Sequence, residues 1–144
     1  MTLSETLLPY EKNTLILVCD RSQAKFFRAV DREFTEIDVM ENERLALEGE
    51  HPPGGEHMSV LRDEEYHEHE AGVFYKKLAE RLFDLKKELS YENLILVVPA
   101  DDKNTLAEAL HEEVHQALDI TIPKQLLYLE NDALAERIDE HRRG

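Results

Sequence analysis

The sequence predicts one α/β domain with a mixed sheet, an antiparallel meander followed by β-α-β crossovers, and three observations carry that expectation. The first is the unbroken apolar run Leu15-Ile16-Leu17-Val18-Cys19. It is too short to span a bilayer and rich in strand formers, as suits a strand buried on both faces. The second is a near-repeat of that run, Asn93-Leu94-Ile95-Leu96-Val97-Val98-Pro99, which reads as a second central strand. The third is the helical period of the apolar residues between them, from Asp63 to Leu89. Strand, long helix and strand in succession suit a crossover onto a parallel neighbour.

Taken in order, residues 1–13 are a polar, flexible lead-in, and the domain proper occupies 14–144. After the first strand, Asp20-Arg21-Ser22-Gln23 is turn-like, since Asp and Ser bond their own backbone, and Ala24 to Val30 returns as its hairpin partner. Phe34 to Glu41 alternates, which predicts a third strand with Thr35, Ile37 and Val39 on its covered face and Glu36, Asp38 and Met40 on the other. Residues 42–61 break all periodicity and contain Pro52-Pro53-Gly54-Gly55, so a long mobile loop is expected there. The long helix follows, with Tyr66, Val73, Phe74, Leu78, Leu82, Leu85 and Leu89 on one stripe. Beyond the second central strand a helix is predicted over about 104–118, with Leu106, Leu110, Val114 and Ala117 inward. Ile120-Thr121-Ile122 reads as a last strand. A final helix over about 132–141 carries Leu134, Ala135 and Ile138, with Arg142-Arg143 suiting its C-terminus.

Composition narrows the function classes. The formal net charge of −15 over 144 residues opposes attraction to free DNA or an anionic membrane, so neither is an expected partner. A single cysteine excludes an internal disulfide framework, and Cys19 reads as a small packed hydrophobe. The N-terminal residues lack the basic start and apolar stretch of a secretory signal, and a cytoplasmic protein is expected. There is no Walker loop, GxGxxG or GxSxG pattern, and no cofactor is expected.

Three constellations could carry chemistry. His111-Glu112-Glu113-Val114-His115 matches the zincin pattern, in which two histidines one turn apart hold zinc and a glutamate acts as base. No third ligand follows in a matching context, and an acidic, His-bearing helix face gives the same spacing by accident. His51, His57, His67 and His69, with Glu64, Glu68 and Glu70, form a second cluster around the long loop and helix start. His67 and His69 share no helix face, so a solvated polar surface explains them better than a metal. Thirdly, Asp20 and Asp101 or Asp102 each follow a central strand, next to Arg21. Parallel strands would gather these binding candidates at one sheet edge, where such carboxylates can hold magnesium. The plainer alternative has Asp20 closing its turn and Asp101 or Asp102 capping the next helix.

The run Leu15 to Phe27, with Asp20-Arg21-Ser22-Gln23-Ala24-Lys25 inside it, resembles the opening of the bacterial host-attachment protein family. The resemblance continues through Phe74-Tyr75-Lys76-Lys77-Leu78-Ala79-Glu80-Arg81-Leu82, Leu94 to Pro99 and Ile122-Pro123-Lys124-Gln125-Leu126. That family in turn looks like a stand-alone relative of the middle domain of archaeal and eukaryotic peptide-release factors. The resemblance implies a ribonuclease H-like sheet and a Gly-Gly-Gln loop before the long helix. Here Gly54-Gly55-Glu56 stands in that place, with the glutamine replaced by Glu56. Glu48, Glu50, Asp63, Glu64 and Glu65 flank it where a release domain would be basic.

The reading that follows is a non-catalytic, cytoplasmic interaction or adaptor protein of the host-attachment type. Its 42–61 loop and acidic helix face would meet a protein partner. The alternative is a release-factor-like protein that hydrolyses peptidyl-tRNA at the ribosome through Gly54, Gly55 and Glu56. Neither the partner nor the oligomeric state is fixed by the sequence.

Overall fold

The computed structural model describes residues 1–43 and 60–144, with the side chains of 60–67 excepted. Five strands form one sheet: β1 (Tyr10–Cys19), β2 (Gln23–Asp31), β3 (Glu33–Glu41), β4 (Asn93–Val97) and β5 (Leu118–Ile122), in the order β3-β2-β1-β4-β5. The β1–β2 and β2–β3 pairs are antiparallel, and β1–β4 and β4–β5 are parallel, as the sequence predicts. The described helices are α1 (Val60–Leu89), α2 (Lys103–Ala109), α3 (Glu112–Ala117) and α4 (Asn131–Arg142). A 3-10 turn spans Ala100–Asp102. None of these helices is long and apolar enough to cross a membrane.

Alternation along the central strands builds a core on each face of the sheet. Leu15, Leu17, Cys19, Phe26, Leu94 and Leu96 pack under α1, α2 and α3, against Phe74, Tyr75, Leu78, Leu82, Leu85, Leu106 and Val114. Ile16, Val18, Phe27, Ile95 and Val97 face the other way, onto Leu134, Ala135 and Ile138 of α4. The period of two in each strand sends neighbours to opposite cores. The end of α1 is fixed by specific partners. Ser90 takes a left-handed conformation (φ 52°), its N–H closes onto the Lys86 carbonyl, and Asn13 Nδ2 donates to the Leu89 carbonyl at 2.9 Å.

Four features depart from the expectation. Residues 1–13 are tied to the domain rather than standing off it, and β1 begins at Tyr10. Leu3 and Tyr10 are buried, Arg142 lies over the Tyr10 ring and donates to the carbonyls of Leu8 and Pro9, and Arg143 donates to that of Thr6. The two arginines thus pin the lead-in as well as ending a helix. On β3 the covered face is not the one expected. Ile37 and Val39 are 38% and 43% exposed, whereas Phe34 is buried and Met40 packs on the core under α1. A register shift between Phe26 and Phe27 places Asp38 opposite the former and Glu36 opposite the latter, leaving Ile37 as the extra residue and reversing the alternation.

The helix expected over 104–118 is two short helices, because Leu110 (ψ 138°) and His111 (ψ 151°) are extended. α1 starts at Val60, three residues before its expected start, and of the loop expected over 42–61, residues 44–59 lie outside those described.

Leu78 has no exposed surface and sits mid-helix between Tyr75 and Leu82. Replacing it with Ala is expected to cost about 2–5 kcal/mol, because the rigid sheet beneath cannot close the cavity. Urea unfolding followed by circular dichroism reads this as a lower midpoint with an unchanged slope.

Candidate functional site

The C-terminal ends of the parallel strands bring three loops together. β1 ends into Asp20-Arg21-Ser22, β4 into Pro99 and the turn that holds Asp102, and β5 into the loop that carries Gln125. Asp20, Arg21, Ser22, Pro99, Asp101 and Asp102 line an open cleft of about 470 Å³ there. The gathering expected from sequence therefore occurs, but Asp20 and Asp102 are already engaged.

Asp20 closes its own turn, as the plainer alternative has it. Its Oδ1 accepts from the Ser22 N–H at 2.8 Å, the Ser22 hydroxyl at 3.0 Å and the Gln23 N–H at 2.9 Å. Its Oδ2 accepts from Gln125 Nε2 at 2.7 Å, which ties the β1–β2 turn to the loop after β5. Asp102 does something sequence reasoning did not foresee. It stands at the N-terminus of α2 without a side-chain cap bond. Instead its carboxylate, 4% exposed, takes a forked pair from Arg21, Nε to Oδ2 at 3.0 Å and Nη2 to Oδ1 at 2.9 Å. The Tyr75 hydroxyl donates to the same Oδ2 at 2.7 Å. Every oxygen of both carboxylates therefore accepts a hydrogen bond, and all but Asp20 Oδ2 accept two or more. Asp101 lies exposed on the rim.

Burial alone would raise the Asp102 pKa. Hydrogen bonds from Arg21 and Tyr75, with the guanidinium charge, outweigh it and hold the carboxyl below its ordinary value. Tyr75 is pushed up by burial and by its bond to this carboxylate, so its hydroxyl stays a donor at neutral pH. The Cys19 thiol, fully buried at the end of β1, is also pushed up, by desolvation and then by Asp20 and Asp102.

Arg21 reaches a second acid, Glu68 of α1, at 2.9 Å. Buried Asn42, just past β3, donates through Nδ2 to the carbonyls of Arg21 at 3.0 Å and Glu70 at 3.3 Å, and its N–H donates to the Ser22 carbonyl at 2.8 Å. The β1–β2 turn is thus bonded to the residues on both sides of segment 44–59. Tyr75, Asn42 and Gln125 were missed from sequence. Tyr75 could have been found, since it lies three and seven residues before Leu78 and Leu82 on the buried stripe. The other two reveal themselves only through contacts distant in sequence.

The histidine candidates do not converge. His111 precedes α3 and stacks on Phe83, with ring centroids 4.1 Å apart. The continuous helix that a zincin motif needs is therefore absent. His115 and His69 are exposed. The side chain of His67, and all of His51 and His57, lie outside the described residues, as do Gly54, Gly55 and Glu56. Among the described residues no group of three or more His, Cys, Asp or Glu is placed to hold a metal.

Comparison with known proteins adds an independent line. The model of the family described as bacterial archaeo-eukaryotic release factor family 12 matches residues 13–138. Two solved structures share the fold. One, described only as an archaeal protein, is 18% identical over 90% of this chain and 35% of its own, with a TM-score of 0.53. The other, an archaeal translation termination factor, is 14% identical over 94% of this chain and 40% of its own, with a TM-score of 0.56. The chain therefore spans two fifths or less of each of these structures, and at such identities the likeness is one of fold. No curated protein is significantly similar to the chain.

Asp102→Asn keeps the shape of the pair and removes its charge, at an expected cost of about 1–3 kcal/mol. The sign of its pH dependence follows from the depressed folded pKa. The stabilisation is complete above the unfolded carboxyl value, about 4, and is lost as pH falls through the lower folded value. Urea midpoints of the two proteins are therefore expected to differ by a constant amount at neutral and mildly acid pH and to converge below about pH 4.

Proposed function

The chain belongs to the bacterial archaeo-eukaryotic release factor family 12, and on that premise we propose that it acts on peptidyl-tRNA at the ribosome as a release-factor-like protein, with Gly54, Gly55 and Glu56 at its working tip. The observation that carries this reading is placement. The family match spans residues 13–138 and so includes the segment between β3 and α1, where the resemblance puts a Gly-Gly-Gln loop. The bonds from Asn42 and Arg21 to α1 and the β1–β2 turn support it, since they fix where that segment leaves and rejoins the domain.

The chemistry at the tip follows from residue type. Two glycines give the backbone conformations closed to other residues. Glu56 has nearly the shape of glutamine, but an ionised carboxylate only accepts hydrogen bonds whereas the amide also donates. It also brings negative charge towards phosphate-rich RNA. Hydrolysis by this chain is therefore weak, and the amide form is the more active one. A second reading, a non-catalytic adaptor of the host-attachment type with a protein partner, is favoured by the net charge of −15, which opposes docking on RNA.

Sedimentation in sucrose gradients at low and moderate salt separates the two. Comigration with large ribosomal subunits, weakened by salt and lost when Gly54 and Gly55 are both changed to Ala, is the result expected of the first. Protein that stays at the top of the gradient in both salts would remove the ribosomal reading and leave the adaptor. In a peptidyl-tRNA cleavage assay, Glu56→Gln is expected to raise the rate by about a hundredfold or more, the scale of one transition-state hydrogen bond. No gain would take the working tip away from Glu56.

A further inference from the structure

We infer that the outer edge of β3 is a docking strip for an extended basic segment of a partner protein, added antiparallel to the sheet. β3 is the last strand on its side. The chain itself shows that this edge accepts a strand. Thr2 pairs antiparallel with Glu33, the Phe34 N–H donates to the Met1 carbonyl at 2.9 Å, and the Leu3 N–H donates to the Arg32 carbonyl at 2.7 Å. That pairing stops at Phe34. From Thr35 to Glu41 no strand among the described residues lies outside β3, a free length of about 23 Å at 3.3 Å per residue.

The side chains along the free length state the chemistry of the occupant. Glu36, Val39 and Glu41 stand opposite Phe27, Lys25 and Gln23, and so share the face that carries Phe27. All three are exposed, and neither glutamate forms an ion pair among the described residues. Ile37, set out by the register shift, adds a second exposed apolar side chain. The strip therefore reads acid, apolar, acid on one face, beside an outer backbone edge whose Val39 N–H is bonded to Asp38 Oδ1 at 2.9 Å until a partner strand takes it over. The complement is a strand that alternates basic and apolar residues on one face, paired through its main chain.

A second copy of this chain fits badly. Antiparallel self-pairing across residues 36–41 with matched faces would set Glu36 of each copy opposite Glu41 of the other, and like charges directly opposite are destabilising. Such charges along an edge are the usual guard against self-association. They repel this chain and nucleic acid alike, and leave a basic polypeptide as the occupant.

The test uses the purified chain and a fluorescein-labelled peptide, Lys-Thr-Val-Thr-Lys-Thr-Val-Thr-Lys, read by fluorescence anisotropy at two salt concentrations. Two control peptides carry Pro in place of alternate Thr, or Glu in place of Lys. The basic peptide is expected to bind in a salt-sensitive way, at least about tenfold tighter than either control. Val39→Lys, an exposed change checked for an unaltered circular dichroism spectrum, is expected to weaken it by a similar factor. Equal binding of the proline peptide would overturn the inference, since charge alone would then suffice. So would an unchanged affinity for Val39→Lys, or a dimer in sedimentation that Val39→Lys dissociates. No ribosome enters this assay, so its failure leaves the proposed function where it stood.

Discussion

β1 runs between an antiparallel neighbour and a parallel one, with a core on each face, and its residues from Leu15 to Cys19 have no exposed surface. A strand held in this way has one permitted register. A slip of one residue would carry Leu15, Leu17 and Cys19 away from α1 and send Ile16 and Val18 into their place, against side chains that do not fit them. Because β1 cannot slip, the turn that begins at Asp20 is delivered to one spot at the end of the sheet. β4 delivers Asp102 to the same spot, and the forked bond with Arg21 is made there. The rest of the network, from Tyr75 and Glu68 to Asn42, is built outward from that junction.

The central strands were legible because burial on both faces leaves little choice of residue, and the Leu-Ile-Leu-Val run appears twice. The helical stripe of α1 was legible for the matching reason, a one-sided core repeated over many turns. Legibility failed at the margins. On β3 a single extra residue at Ile37 reversed the face that alternation assigned, and no local pattern marks such an insertion. The lead-in looked free because its anchors, Asp139, Arg142 and Arg143, lie more than 130 residues away in sequence. The break at Leu110 and His111 carries neither Gly nor Pro. At the site, the placement of Asp20 and Asp102 was foreseen. That Arg21 would claim one of them was not, because an acid after a strand reads alike whether it waits for a ligand or for an arginine.

Charge divides this molecule's options. A formal −15 works against a phosphate-rich surface at every distance within a Debye length. The family to which the chain belongs is nonetheless a release-factor family, and its fold is shared with an archaeal termination factor. A chain so acidic can approach RNA when basic protein covers part of its surface. An interaction strip for a basic segment and a ribosomal role are then compatible, since the first would lower the electrostatic cost of the second.

The lone cysteine gives this sheet a built-in witness. Cys19 ends the central strand, is sealed from solvent, and has its thiol held in the unreactive protonated form. Only a thiolate reacts with alkylating reagents, and this one becomes available when β1 parts from its neighbours. Labelling kinetics would therefore count openings of β1 at its C-terminal end, beside the Asp20 turn, in the unaltered protein, one event per molecule. Fraying at the edges would pass unseen, as in the slowest class of amide exchange.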